Sequence, residues 1–178
     1  MCKSPENPLK SGKMEKIKVL MVCHGNICRS TMAQSVLSHM VETLGLNQQF
    51  EIDSAATSRE EIGNPPHYGT RTKLAQEGIP LIPHRARQMN RDDYLYFDYL
   101  IGMDSANIRN MTRIVGGTDT KNKIYKMLSF ADYEKNHKLV EARDVADPWY
   151  TGDFEATYHD VVSGCKGFLQ YLKEEGQI

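Results

Sequence analysis

Four short apolar runs, at 17–22, 50–55, 99–103 and 124–128, are separated by longer stretches in which apolar residues recur at helical spacing. Runs of this length bounded by polar turns read as strands, and their alternation with helices predicts an α/β fold with a parallel sheet covered on both faces. After Ser30, the residues Met32, Ala33, Val36, Leu37, Met40, Val41 and Leu44 fall on one helical seam. Near the other end Phe154, Tyr158, Val161, Cys165, Phe168 and Leu172 alternate at steps of three and four. At 178 residues the chain fits a single domain, and a chain of that size buries roughly 70% of its unfolded surface. The nine methionines read as core filler.

Residues 1–15 are polar, contain two prolines and a glycine, and read as a flexible N-terminal extension ahead of a domain at 16–178. They lack the apolar centre of a signal peptide. No later stretch approaches the roughly 18 consecutive apolar residues of a membrane span. Twenty-two basic and 23 acidic residues give a formal charge of −1, so composition makes no electrostatic case for nucleic acid, and the pair Arg85 and Arg87 does not change that. Cysteines at 2, 23, 28 and 165 match neither a disulfide framework nor zinc-ligand spacing. That pattern fits a reducing, cytoplasmic compartment and gives no reason to expect a metal or cofactor.

The chemistry concentrates at the end of the first run. Cys23-His24-Gly25-Asn26-Ile27-Cys28-Arg29-Ser30 joins a predicted strand to a predicted helix beginning at Ser30. A tight turn there aims successive backbone N–H groups into one concavity, and the helix adds its positive end. Gly25 and Asn26 suit such a turn, since both tolerate positive φ. Arg29 contributes a planar fork that grips two phosphoryl oxygens at once, which lysine cannot do. In surroundings of this kind a cysteine pKa falls to roughly 3.5–7.5, so the expected species at Cys23 is a thiolate beside a bound phosphate or other oxyanion. Ligands of open parallel sheets bind beyond the carboxyl ends of the strands, which places Cys23 in the cleft.

These residues resemble the phosphate loop of the low-molecular-weight protein tyrosine phosphatases. Further segments resemble that family in the same order: Ile52-Asp53-Ser54-Ala55, Gly63-Asn64-Pro65-Pro66, His84-Arg85-Ala86-Arg87-Gln88, Phe97-Asp98-Tyr99 with Met103-Asp104, and Asp147-Pro148-Trp149-Tyr150. The resemblance implies a four-stranded parallel sheet of order 2-1-3-4 with helices on both faces. It implies a hydrolase working through a cysteinyl phosphate, with Cys23 as nucleophile, Arg29 binding phosphate and Asp147 as general acid and then base. It further implies that Asn26, Ser54 and His84 brace the loop, and that Ser30 donates to the Cys23 sulfur. Trp149 and Tyr150, with Ile27 and His24, wall the slot for the aryl ring, and Cys28 forms a protective disulfide with Cys23 on oxidation. The partners implied are phosphotyrosine proteins, with an autophosphorylating tyrosine kinase as one candidate substrate.

Departures from that pattern bear on specificity. His24 stands where many relatives have Leu, Thr31 where Pro is common, and Arg59-Glu60-Glu61 where others place an aromatic in the variable loop. Glu60 at the pocket wall and Glu61 would repel acidic flanking sequence, whereas Arg59 would attract it. Three alternatives share the fold or loop. An arsenate reductase would relay electrons through extra cysteines, and none lies between Cys28 and Cys165. A phosphoarginine phosphatase would carry Thr at the position of Ile27. A binding module without turnover would need neither Cys23 nor Asp147. Ser30, read without the resemblance, is a helix N-cap.

Overall fold

The computed structural model describes residues 15–178. Apart from Glu15, the expected N-terminal extension lies outside the described residues. Four strands, β1 (Ile17–Cys23), β2 (Phe50–Ala56), β3 (Tyr99–Gly102) and β4 (Ile124–Lys126), pair in parallel in the order β2-β1-β3-β4. The helices are α1 (Arg29–Thr43), α2 (Tyr68–Gln76), α3 (Arg91–Tyr96), α4 (Ser105–Ile114), α5 (Tyr133–Asn136), α6 (Pro148–Thr151) and α7 (Phe154–Glu174).

β1 is the centre of the sheet, which explains its unbroken apolar sequence. Val19 and Met21 pack with residues of α1 and α7 on one face, whereas Leu20 and Val22 pack with Tyr94, Phe97 and Met111 from the α3 and α4 side. Alternate side chains of one strand thus feed two cores. Because β2 lies on one side of β1 and β3 on the other, the connections part just beyond Cys23, and a crevice opens there.

The elements expected from the apolar runs depart at their ends. β4 stops at Lys126, and Met127–Phe130 form a 3-10 turn in place of further strand. The cause is α7, which crosses this turn so closely that a Cβ on Gly167 would fall 1.7 Å from the Phe130 carbonyl oxygen. α1 starts at Arg29, one residue early, and Leu44 caps its end exposed instead of joining the seam. Of the seam on α7, Val161, Cys165, Phe168 and Leu172 are buried, with Phe154 and Tyr158 packed at the margin.

Candidate active site

β1 delivers Cys23 to the carboxyl edge of the sheet, and Arg29 opens α1. The turn between them is held from outside. The carbonyls of Cys23, His24 and Ile27 accept from the N–H groups of Thr57 (2.9 Å), Ser58 (3.0 Å) and His67 (2.7 Å). That of Cys28 accepts from the hydroxyls of Thr31 and Thr70, both at 3.1 Å. In a trans peptide the carbonyl and the following N–H point in opposite directions. The N–H groups of His24, Gly25, Cys28 and Arg29 therefore face away from those outer partners, toward the concave side where an anion nests. Asn26 makes the turn at φ +60° and donates its own N–H to Cys23 Sγ at 3.3 Å. Gly25, expected to share the left-handed conformation, has no positive φ; an added Cβ there would lie 3.4 Å from Glu61 Cγ.

The Asn26 side chain is the hub of the loop. Its Nδ2 donates to the hydroxyls of Ser30 and Ser54, both at 2.9 Å, and Ser54 passes its own proton to Gln34 Oε1 at 2.6 Å. The Arg87 backbone N–H, which can only donate, lies 3.2 Å from Asn26 Oδ1 and so fixes which way the amide points. His84 Nε2, 2.7 Å from the same oxygen, must then carry a proton. Burial lowers the His84 pKa, with nearby Arg87 assisting and Asp53 opposing, which keeps the ring in this neutral tautomer. Since Ser30 Oγ accepts from Asn26, its own proton remains free for Cys23 Sγ, 3.1 Å away. Ser30 does not cap α1: the cap position is Cys28, with no side-chain bond, because the turn from Cys23 to Cys28 itself forms the helix start.

Arg29 is 2% exposed and held by three acceptors. Nη1 donates to Asp104 Oδ2 at 2.7 Å and to the Val145 carbonyl at 3.0 Å, and Nη2 to Asp147 Oδ2 at 3.3 Å. Of five guanidinium protons, those on Nε and the second on Nη2 have no partner among the described residues, which leaves a two-pronged edge with the geometry to hold an oxyanion. Burial works against this charge, but Cys23, Asp104 and Asp147 outweigh it and raise the pKa. Asp104 was not recognised as a functional residue from sequence, although Met103-Asp104 belonged to the resemblance. Its other oxygen accepts from Asn107 N–H at 2.7 Å as the cap of α4. Asp147 likewise caps α6, accepting from Trp149 N–H at 3.1 Å.

A cavity of about 110 Å³ opens over the loop, lined by Cys23, His24, Gly25, Ile27, Cys28, Arg29, Glu60, Glu61, Asp147, Trp149 and Tyr150. Trp149 and Tyr150 are 57% and 84% exposed, a free aromatic lip beside a buried floor. His24 Nε2 meets Glu60 Oε2 at 3.0 Å across the opposite rim. Arg59 does not line the cavity, so the segment 59–61 presents carboxylates to it; Glu61 is a lining residue that sequence reasoning left out of the site. Asn26, Ser30, Ser54 and His84 stand behind the wall. Burial, with the charges of Cys23 and Asp147, pushes the Cys28 thiol up to about 12, so Cys28 stays protonated beside Cys23. No group of three or more His, Cys, Asp or Glu among the described residues could hold a metal ion, and no helix there is long and apolar enough to cross a membrane.

A parallel α/β sheet whose central strand ends in a cysteine-to-arginine loop defines a class of proteins that hold an oxyanion beside a thiol. Within that class, residues 18–178 match the low molecular weight phosphotyrosine protein phosphatase family. The chain is 39% identical over 162 residues to the low molecular weight protein-tyrosine-phosphatase YfkJ of Bacillus subtilis, covering 91% of this chain and 99% of that one. It is 37% identical over 154 residues to the human low molecular weight phosphotyrosine protein phosphatase, covering 85% and 93%. Among solved structures, that of YfkJ superposes with a TM-score of 0.84 at 36% identity, covering 93% and 100%. That of the drosophila arginine phosphatase gives 0.75 at 29%, covering 88% and 98%. The chain belongs to the low molecular weight phosphotyrosine protein phosphatase family and is an enzyme of the protein-tyrosine-phosphatase class.

Proposed function

We propose that this chain, as the domain 16–178, hydrolyses phosphotyrosine in proteins through a cysteinyl-phosphate intermediate. The observation that carries the reading is the convergence of Cys23, Arg29 and Asp147 on one small cavity with an aromatic lip. The phosphoryl group lies on the inward N–H groups and the free edge of Arg29. Cys23 thiolate attacks phosphorus, the phosphorus–oxygen bond to tyrosine breaks, and Asp147 gives its proton to the departing oxygen. The Asp147 carboxylate then takes a proton from water as that water attacks the phosphocysteine. The sulfur leaves as thiolate, stabilised by the Ser30 hydroxyl, and inorganic phosphate is released.

Aryl substrates are favoured because only a phosphate on a long flat stem reaches the floor while stacking between Trp149, Tyr150 and Ile27. Ile27 is an apolar wall with no hydroxyl for a guanidino group, which supports the aryl reading over the phosphoarginine chemistry of the drosophila structure. The substrates are phosphotyrosine proteins, a tyrosine kinase among the candidates, and the free thiols at 23, 28 and 165 fit work in the cytoplasm. Under peroxide, Cys23 becomes a sulfenic acid and Cys28 displaces water from it to form a disulfide. Oxidation also removes the Cys23 charge that raises the Cys28 pKa, which eases that step.

The test is parallel turnover of phosphotyrosine, phosphoserine, phosphoarginine and arsenate by wild type and Cys23→Ser in reducing buffer. Phosphotyrosine alone should be turned over well, and only by wild type. Preference for phosphoarginine or arsenate, or binding without turnover, would replace this reading.

A further inference from the structure

The segment 142–147 that carries Asp147 has no regular structure before α6, so its place depends on what ties it down. Val145 N–H donates to the Met103 carbonyl at 2.9 Å, and the Thr157 hydroxyl to the Ala146 carbonyl at 3.1 Å. Arg143 pairs with Asp160 of α7, and the Val145 carbonyl accepts from Arg29 Nη1 at 3.0 Å. The other tie at its start is one ammonium group. Lys126, the last residue of β4, sends Nζ to the Ala142 carbonyl at 2.7 Å, to Asp144 Oδ1 at 2.6 Å and to Ser105 Oγ at 3.0 Å. A lysine has three protons, and all three are committed here. Ser105 closes the ring by donating its N–H and its hydroxyl to the same Asp144 oxygen, at 3.0 and 3.2 Å.

The position of this ring matters. Ser105 directly follows Asp104, the carboxylate that grips Arg29, and Asp144 lies three residues before Asp147. One cation therefore joins the outer strand of the sheet, the holder of the phosphate-binding arginine and the arm that bears the acid. A lysine at a strand end is ordinarily a solvated charge, but the Lys126 side chain is only 16% exposed. Its hydrogen bond is the largest cause holding the Asp144 carboxyl below the usual range, with Ser105 assisting and burial opposing.

We propose that Lys126 is a positioning residue for the proton-transfer step, fixing the 142–147 arm through Asp144 and Ala142 so that Asp147 stands at the leaving oxygen. The inference rests on the reading of Asp147 as the general acid. It implies a signature in kcat/KM unlike a general loss of structure. That ratio ends at departure of the leaving group, where Asp147 acts as acid, and excludes the later hydrolysis of the phosphocysteine, where it acts as base for every substrate. A displaced acid therefore lowers kcat/KM only for substrates that need a proton on the leaving group. General acid catalysis supplies about 10²–10⁴-fold, and a shifted arm forfeits part of it.

The experiment compares phenyl phosphate, a poor leaving group, with 2,4-dinitrophenyl phosphate, a good one, in wild type, Lys126→Met, Asp144→Ala, the double variant and Asp147→Asn. For Lys126→Met, kcat/KM on phenyl phosphate should fall by about tenfold or more while kcat/KM on the dinitrophenyl ester stays within about twofold. Asp144→Ala, on a half-exposed side chain that does not threaten the fold, should show the same split, and the double variant should be no worse than the worse single one. If Asp147→Asn itself shows no split, the acid reading falls and takes this inference with it. If Asp147→Asn splits the substrates but Lys126→Met and Asp144→Ala lower both alike or neither, the positioning role alone is refuted.

Discussion

Asn26 has no exposed surface, sits at φ +60° and satisfies four partners with one amide, so replacing it separates backbone strain from hydrogen bonding. Asn26→Gly keeps the left-handed turn and removes the amide. The Arg87 N–H and the His84 Nε2–H then lose their acceptor. A stranded buried donor costs about 1–3 kcal/mol, and as both sites are part-buried the lower half applies, giving about 3 kcal/mol for the two. Asn26→Ala loses the same bonds and also places a Cβ in the left-handed region, which costs roughly 1–2 kcal/mol, less the extra chain entropy of glycine, for a further 1 kcal/mol or about that. With about 2–4 °C per kcal/mol in a domain of this size, the glycine variant should melt roughly 6–12 °C below wild type and the alanine variant a few degrees lower again. Scanning calorimetry gives the order, and turnover of p-nitrophenyl phosphate gives the effect on the thiolate cradle, which should fall in both. An alanine variant at least as stable as the glycine one would refute the strain argument, and a glycine variant indistinguishable from wild type would refute the hub.

Three other expectations can be checked directly. Gly167→Ala drives a methyl to 1.7 Å from the Phe130 carbonyl oxygen, and overpacking of this kind costs about 1–3 kcal/mol or more; an unchanged melting temperature would mean α7 does not cross the turn this closely. The folded pKa of His84 lies below its ordinary 6.5, chiefly through burial, so between the two values the unfolded chain holds a proton the native ring lacks. The stability this contributes is present above pH 6.5 and is lost as pH falls below it. His84→Gln, which keeps a donor for Asn26, should flatten that acid-side decline in melting temperature. Cys28→Ser should turn over substrate in reducing buffer but fail to recover with dithiothreitol after a peroxide pulse that wild type survives, because Cys23 then advances beyond sulfenic acid; equal recovery would remove Cys28 from protection.

The central strands were legible because β1 and β3 are buried on both faces, which writes itself into sequence as continuous apolar runs. The end of β4 was not, since Met127 and Leu128 are as apolar as a strand needs and only the crossing of α7, some forty residues later, turns them into a 3-10 segment. Cys23 and Arg29 announce themselves by spacing within one loop. Asp104 does not: it meets Arg29 from 75 positions away, and locally it is an ordinary helix cap. Gly25 and Asn26 were indistinguishable as turn formers until the hydrogen bonds of the amide showed why Asn takes the left-handed position. Lys126 carries no local signal at all, because its three acceptors come from two other segments of the chain.

At rest the guanidinium of Arg29 reaches Asp147 through Nη2 by a contact of 3.3 Å, the longest of its three. A dianion docked on the free edge beside it would draw on the same nitrogen's charge and loosen its hold on that carboxyl, so in the proposed mechanism docking of cargo and release of the proton donor toward the ester oxygen would be coupled. Orthophosphate can claim the same nitrogen without bringing any oxygen to protonate. Accumulating product should therefore occupy the enzyme in an armed but idle state, and relief of that occupancy would govern how fast the cycle restarts.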